Sequence, residues 1–359
     1  MNRKRYLNSL GLIAVVVSIQ LATYFTGTGY FLTQLTMSAY YTLVVIGLCL
    51  LMGYAGQISL GHAGFFAIGG YTSAALTTYD FLPHKEKAAV ALLSKLGIFA
   101  LREDLYGGQA LSAAPWAACI AAVLFTAVVA YVIGVPVLKL KGHYLAMATL
   151  GFGTIIYRIV IGTPLFGGAD GISDIPAFKL APGIEVNGKL SMRVQNYYIA
   201  WGLVIVGFTG LLNLINSRVG RALKSIHGAE DAADAMGVDT ARYKLKTFVL
   251  SAVFASVAGV FLTHYNGGIG PSEAGIMKSV RYVAIVAIGG MANLWGALTM
   301  SAILNFLSLR GYFGTLDDAV FGGTLVAIML FAPEGLLKPD FLKNITGLFS
   351  KKKDEKELI

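Results

Sequence analysis

Residues 53–64 read Gly53-Tyr54-Ala55-Gly56-Gln57-Ile58-Ser59-Leu60-Gly61-His62-Ala63-Gly64, a glycine-punctuated polar interruption between two long apolar runs. Neither the run before it, Met37 to Met52, nor the run after it, Phe65 to Tyr79, contains a charged residue. Lipid offers no hydrogen-bond partner, so backbone that leaves helical geometry in a bilayer must be buried in protein or line a cavity. The break therefore belongs beside a path through a membrane. That points to transport.

Composition agrees. Of 359 residues, 56% are hydrophobic and 13% charged, against about 25% charged in a soluble domain, and mean hydropathy is +0.68. The 43 glycines, without a collagen-like period, suit the close helix packing of membrane bundles. Both cysteines, Cys49 and Cys119, lie inside apolar runs, so neither a disulfide framework nor a metal motif is expected. No cofactor motif is present either. The excess of 28 basic over 19 acidic residues is read first as a topological signal, with nucleic acid a remote second.

Apolar windows of about 20 residues mark membrane spans. They fall near 7–24, 33–52, 62–79, 115–138, 143–162, 197–215 and 247–265, followed by shorter pieces near 281–292, 295–310 and 317–332. The sequence thus predicts an all-α, polytopic transmembrane helical bundle of about ten spans. The first stretch follows Arg3-Lys4-Arg5 and has no strong small-residue cleavage site, so it reads as an uncleaved span. With both termini cytoplasmic, the inner segments hold 17 of the 28 basic residues and the outer ones 10, with Arg158 inside a span. The bias has the sign of the positive-inside rule. Residues 1–338 then form the transmembrane domain, with the inner loop 216–246, and 339–359 a basic cytoplasmic tail.

Two outer loops are long. In 80–114 the short apolar run Ala88 to Leu101 predicts a helix lying at the interface. In 163–196 the cluster Gly167-Gly168-Ala169-Asp170-Gly171 predicts tight turns. His143 and His264 read as boundary residues, and Arg158 as a snorkelling side chain.

The inner loop 216–246 is the second informative segment. Within it, Gly228-Ala229-Glu230-Asp231-Ala232-Ala233-Asp234-Ala235-Met236-Gly237 predicts a short helix over 229–236, acidic toward its start and ended by Gly237. Ala232, Ala233 and Met236 at i, i+1 and i+4 would form a small, flat apolar patch for a partner. The plainer alternative is a solvated helix.

Asp231-Ala232-Ala233, then three residues, then Gly237 resembles the Glu-Ala-Ala-x-x-x-Gly loop of ABC importer permeases. The chain as a whole resembles the membrane subunits of branched-chain amino acid ABC importers. Further segments that carry this are Gly53 to Tyr71, Leu138 to Tyr144 with Ala148-Thr149-Leu150, Gly167 to Pro176, Arg218 to Gly259, Gly289-Gly290 with Gly296, and Ala332 to Leu337. The resemblance implies a coupling helix formed by Gly228, Ala229, Glu230, Asp231, Ala232, Ala233, Met236 and Gly237. It also implies a second permease subunit, two cytoplasmic ATP-binding subunits, a periplasmic or extracellular solute-binding protein, and residence in a prokaryotic cytoplasmic (inner) membrane. Asp231 stands where the loop usually has Glu, the closing Ile-x-Leu-Pro is absent after Lys246, and loop 80–114 is long for the family. Related permeases are assigned to urea or short amides, so that substrate class stays open.

No Gly-x-x-x-x-Gly-Lys-Ser/Thr loop cradles a nucleotide, so energy comes from a separate subunit or an ion gradient. Ion coupling generally needs carboxylates within the membrane, and Glu273, Asp317 and Asp318 sit at predicted span ends. Spans two to five and seven to ten are candidate inverted repeats, each with a glycine-rich break. The candidate translocation path is Gly53, Gly56, Gln57, Ser59, Gly61 and His62, with Gly289 and Gly290. Alternatively, Gln57 and Ser59 only satisfy backbone at the break and His62 is a neutral partner within a helix interface. A third class, an intramembrane hydrolase using Ser59 and His62, needs a nucleophile–base contact and an oxyanion site.

Overall fold

The computed structural model describes residues 3–84, 94, 97–103 and 108–331. Twelve helices lie among them: α1 (Arg3–Phe25), α2 (Phe31–Cys49), α3 (His62–Thr78), α4 (Pro115–Val137), α5 (His143–Gly162), α6 (Arg193–Ile215), α7 (Arg218–Gly228), α8 (Glu230–Ala235), α9 (Thr240–Asn266), α10 (Ile276–Gly289), α11 (Leu294–Leu309) and α12 (Asp317–Phe331). All ten apolar stretches of the sequence fall on helices. Five segments among the described residues are long and apolar enough to cross a membrane: Phe31–Tyr54, Pro115–Val137, His143–Gly162, Leu190–Ile215 and Thr240–Asn266. Helix α9 starts at Thr240, earlier than its apolar stretch, because the Asp239 carboxylate accepts from Arg242 N at 3.0 Å and caps it. The tail 339–359 and Ala332 to Leu337 lie outside the described residues.

Helix α2 is the axis of the bundle. Every residue from Ser38 to Ala55 is buried, as expected of a helix that is apolar all round. Its buried threonines bond back to their own helix: Thr36 Oγ1 donates to Leu32 O at 2.7 Å and Thr42 Oγ1 to Ser38 O at 2.8 Å. Helix α4 is peripheral. It buries only Ala118, Ala122, Thr126, Ala130 and Gly134, one stripe at four-residue spacing that lets α9 approach, and Thr126 Oγ1 donates to Ser256 Oγ at 3.0 Å. Its other face exposes large apolar side chains, among them Leu124, Phe125, Val128, Val132 and Val135, which suits lipid. Helices α3 and α9 cross where a Cβ on Gly259 would stand 2.1 Å from Phe66 O. Small residues permit such contacts, and packing rather than hydrophobic exclusion holds helices together in lipid.

The connections gather at two ends. One end holds 55–61, the turn 138–142, α7, α8 and 290–293. The other holds three antiparallel strand pairs: β1 (Phe99–Glu103) with β2 (Gln109–Ala113), β3 (Ile172–Ser173) with β6 (Gly268–Ile269), and β4 (Phe178–Ala181) with β5 (Ile184–Val186). The β1–β2 hairpin shortens the helix expected over Ala88 to Leu101: Ser94 is helical, but the run turns at Gly97. Residues 99–101 are strand, and most of the rest of that run lies outside the described residues. Phe99 pairs with Ala113 and Leu101 with Leu111; Leu111 and Ala113 are buried while Leu101 stays exposed. An ion pair between Arg102 and Asp174 ties this hairpin to the 163–196 loop. His264 is also corrected: it is 1% exposed, donates from Nδ1 to Pro176 O at 2.7 Å and accepts at Nε2 from Ser73 Oγ at 2.8 Å. The loop folds back over the end of α9 and buries it.

Candidate functional site

The break begins as a π-turn, Leu50–Tyr54, at the end of α2. Gln57 N still reaches back to Leu51 O at 3.1 Å. Gly56 then takes φ +69°, which only glycine adopts without strain, and the chain runs without regular structure to α3. Along 56–59 exposure alternates: Gly56 and Ile58 face outward, Gln57 and Ser59 inward. Neighbouring helices satisfy the backbone that leaves the helix. Leu60 N donates to Thr149 Oγ1 at 2.9 Å and Ala63 N to Ser279 Oγ at 3.1 Å. Gly61 and Gly64 lie against α5, where a Cβ on Gly61 would stand 2.6 Å from Thr149 O.

The second glycine-rich break meets the first. Helix α10 ends at Gly289, Gly290 has φ +96°, and Asn293 caps α11 by accepting from Gly296 N at 3.1 Å. A Cβ on Gly53 would lie 1.5 Å from Met291 O, so the two backbones touch. Tyr54 Oη donates to Ala292 O at 2.8 Å. Gly53, Gly289 and Gly290 therefore share one junction, and Gly56, Gln57, Ser59, Gly61 and His62 run from it into α3.

His62 is fully enclosed, with Nδ1 3.1 Å from Ser59 Oγ and Nε2 2.7 Å from Ser251 Oγ. One ring nitrogen donates and the other accepts, so a neutral imidazole satisfies both hydroxyls. The contacts suit the interface alternative for His62, and Ser59 bonds this ring rather than the backbone of the break. Ser59 is 1% exposed and Ser251 fully buried, which leaves a hydrolytic substrate no approach. Ser59→Ala is expected to cost ~1 kcal/mol of stability and to keep uptake near wild type; uptake at background in a folded variant would return a chemical role to Ser59. Gln57 differs: it is 2% exposed, and neither its Nε2 nor its Oε1 has a hydrogen-bond partner among the described residues. A buried amide with both ends free is costly unless something else pairs with it.

The junction also touches the helices of the inner loop. A Cβ on Gly56 would stand 2.9 Å from His227 Nδ1, and Lys224 Nζ lies 5.9 Å from the Tyr54 ring centroid. Both side chains belong to α7, which runs through Gly228 and Ala229 into α8. Helix α8 is acidic in its first turn, with Glu230 and Asp231, and Gly237 follows it with φ +82°. Ala233 turns inward and is 5% exposed, while Met236 is 85% exposed and Ala232 is exposed. The expected patch therefore loses Ala233 and keeps Ala232 and Met236. Lys244 pairs with Glu230, and Lys141 donates to Asp231 at 3.2 Å. That hydrogen bond, with the charge of Asp231, raises the pKa of the Lys141 ammonium. Lys224, His227, Ser251 and Ser279 were not foreseen as contact residues. Isolated polar residues in a basic loop or an apolar helix carry no spacing signal.

The family described as branched-chain amino acid transport system, permease component, matches residues 30–329. The chain belongs to that family. Its members are transport permeases rather than enzymes. The high-affinity branched-chain amino acid transport system permease protein LivM of Salmonella typhimurium is 30% identical over 324 residues, covering 84% of this chain and 68% of the relative. LivH of the corresponding Escherichia coli system is 25% identical over 323 residues, covering 86% of this chain and 96% of the relative. A probable LivM from Methanocaldococcus jannaschii is 25% identical, covering 83% and 90%. No solved structure matches the chain. Family membership accords with the apolar helices: this is a helical membrane permease.

Proposed function

We propose that the chain is the permease subunit of an ATP-driven importer that carries branched-chain amino acids inward across a prokaryotic cytoplasmic membrane. It crosses ten times with both termini inside, beside a second permease subunit. One of two ATP-binding subunits seats on α8 and the other on the second permease, and a solute-binding protein docks on the loops 80–114 and 163–196. The observation that carries this reading is the direct seating of the membrane break on α7, the helix that leads into α8. ATP-driven motion at α8 would press through Lys224 and His227 onto Tyr54 and Gly56, and thence onto the junction with Met291 and Ala292. Such a rigid-body shift of packed elements switches access between two faces. The unpartnered amide of Gln57 supports placing the path here, since it offers both a donor and an acceptor to a zwitterion in transit.

The carboxylates Glu273, Asp317 and Asp318 favour this over an ion-coupled carrier. They sit at the end of the bundle opposite α8, held by Lys278 at 3.0 Å and by Arg281 at 2.9 Å. A paired carboxylate at a span end is poorly placed to carry a coupling ion or proton. The test is affinity purification of the tagged chain from its native membranes in mild detergent, with mass spectrometry of what accompanies it. A second permease and an ATPase are the expected companions. Recovery of the chain alone would overturn the importer and restore the ion-coupled carrier. Radiolabelled leucine against urea in the reconstituted complex decides between branched-chain amino acids and short amides.

A further inference from the structure

A groove with a cavity of about 1000 Å³ runs between α4 and α9 toward the end that carries α8. Its length along the bundle is apolar, lined by Tyr131, Val135, Leu138, Leu245, Val249 and Val253. Tyr131 and Val135 are exposed on the same face of α4 as Val128 and Val132, and α4 and α9 are both long and apolar enough to cross a membrane. The groove thus opens toward the hydrocarbon. Its mouth is basic: Lys139, Lys141, Arg242, Lys244 and Lys246 line it, against Glu230 and Asp239. Three of these cations are committed, Lys141 to Asp231, Arg242 to Asp239 and Lys244 to Glu230. Lys139 and Lys246 have no ion pair among the described residues, and both are exposed.

We propose that this groove holds an anionic phospholipid, with its headgroup on Lys139 and Lys246 and its acyl chains along Val135, Val249 and Val253. Apolar walls and an uncompensated cationic mouth, stacked along one membrane-crossing helix pair, match the two halves of such a lipid and of no water-soluble anion. A basic pocket between transmembrane helices at the interface is where anionic headgroups bind. A partner helix would find no close approach here, since the exposed rim residues on α4 are large. The bound headgroup would compete with Glu230 for Lys244 and with Asp231 for Lys141, and so bear on the position of α8. That consequence rests on the coupling role of α8; the lipid site itself does not.

The test is native mass spectrometry of the full-length chain, purified with its co-purifying subunits and equilibrated with equimolar phosphatidylglycerol and phosphatidylcholine. Wild type is expected to retain phosphatidylglycerol preferentially. The pair Lys139→Gln and Lys246→Gln is expected to lower that preference about 25-fold, at about fivefold per cation. Lys179→Gln with Lys189→Gln, at the opposite end, leaves it unchanged. Val249→Trp fills the groove but keeps the cations, and should lose the retained lipid at an unaltered melting temperature. Equal retention of the two lipids by wild type, or an undiminished preference in the Lys139/Lys246 pair, would overturn the site. So would lipid retained at wild-type level in Val249→Trp, because a surface anion site would not need the groove.

Discussion

Gly53→Ala and Gly53→Val are expected to fail alike, with folded yield collapsing and leucine uptake at background. The damage arises at the first carbon of the side chain. A Cβ at residue 53 would stand 1.5 Å from Met291 O and 2.4 Å from Met291 C, with Ala292 Cα at 3.0 Å. All three are backbone atoms, so no rotamer change relieves the overlap; the break at 289–293 must move away from α2. That movement breaks the Tyr54–Ala292 hydrogen bond at the same junction and opens the tight return from Gly289 to Gly296, where a Cβ on Gly296 would meet Gly289 O at 1.9 Å. Overpacking a well-filled core costs ~1–3 kcal/mol, occasionally more, against a total stability of roughly 5–15 kcal/mol. Two displaced backbone segments belong at or above the top of that range. Gly151→Ala is the matched control. A Cβ at that position on α5 meets nothing within 4 Å, and alanine is the better helix former by ~1 kcal/mol. Folded yield is read by fluorescence size-exclusion of a tagged chain, and uptake with radiolabelled leucine. Wild-type yield and uptake from Gly53→Ala would show that the two breaks need no direct contact.

That junction also marks how far the sequence could be read. Each break is legible by itself, because glycine and polar residues interrupt apolar runs and the bilayer constrains where such backbone can sit. Their meeting is not legible. Gly53 and Met291 are far apart in the chain, and nothing in either segment encodes the other's address. The same limit hid the partners of His62: Ser251 is one serine among many small residues of a long apolar helix. Ala233 was misplaced for a different reason. Periodicity gives the angle between residues on α8 but not which face the bundle takes, and Lys244 reaching Glu230 turns Ala233 inward. The strand pair Phe99–Glu103 with Gln109–Ala113 was not legible because Phe99-Ala100-Leu101 continues the apolar run without a period of its own. His264 looked like a boundary residue because it closes an apolar helix, and only the returning loop, with Pro176 O above it, makes that end an interior.

The exposed side of α8 gives the second large effect, and neighbouring residues let seat and scaffold be told apart. Ala232→Arg is expected to abolish leucine uptake and to lose the co-purifying ATPase, with membrane level and melting temperature unchanged. Ala232 is exposed, and arginine is nearly as good a helix former as alanine, so the bundle has no reason to notice the change. Ala233→Arg should instead fail by unfolding, because that side chain is only 5% exposed and a charge forced inward has no partner. Gly237→Arg also abolishes uptake, but through two causes. Gly237 has φ +82° with open space around its Cβ position, so an L residue there costs ~1–2 kcal/mol of backbone strain in addition to any obstruction. Gly237→Asn separates them, since asparagine is the residue that best replaces glycine in a left-handed helix cap, and it should keep substantial uptake. Met236→Ala belongs on the side of the seat: the methionine is 85% exposed, and an apolar side chain held that far into solvent loses little within its own chain when truncated. Its loss should lower uptake without shifting the melting temperature. Full uptake and a retained ATPase in Ala232→Arg would move the seat off α8. The cationic turn 139–142, joined to α8 by the Lys141–Asp231 contact, would then be the next surface to test.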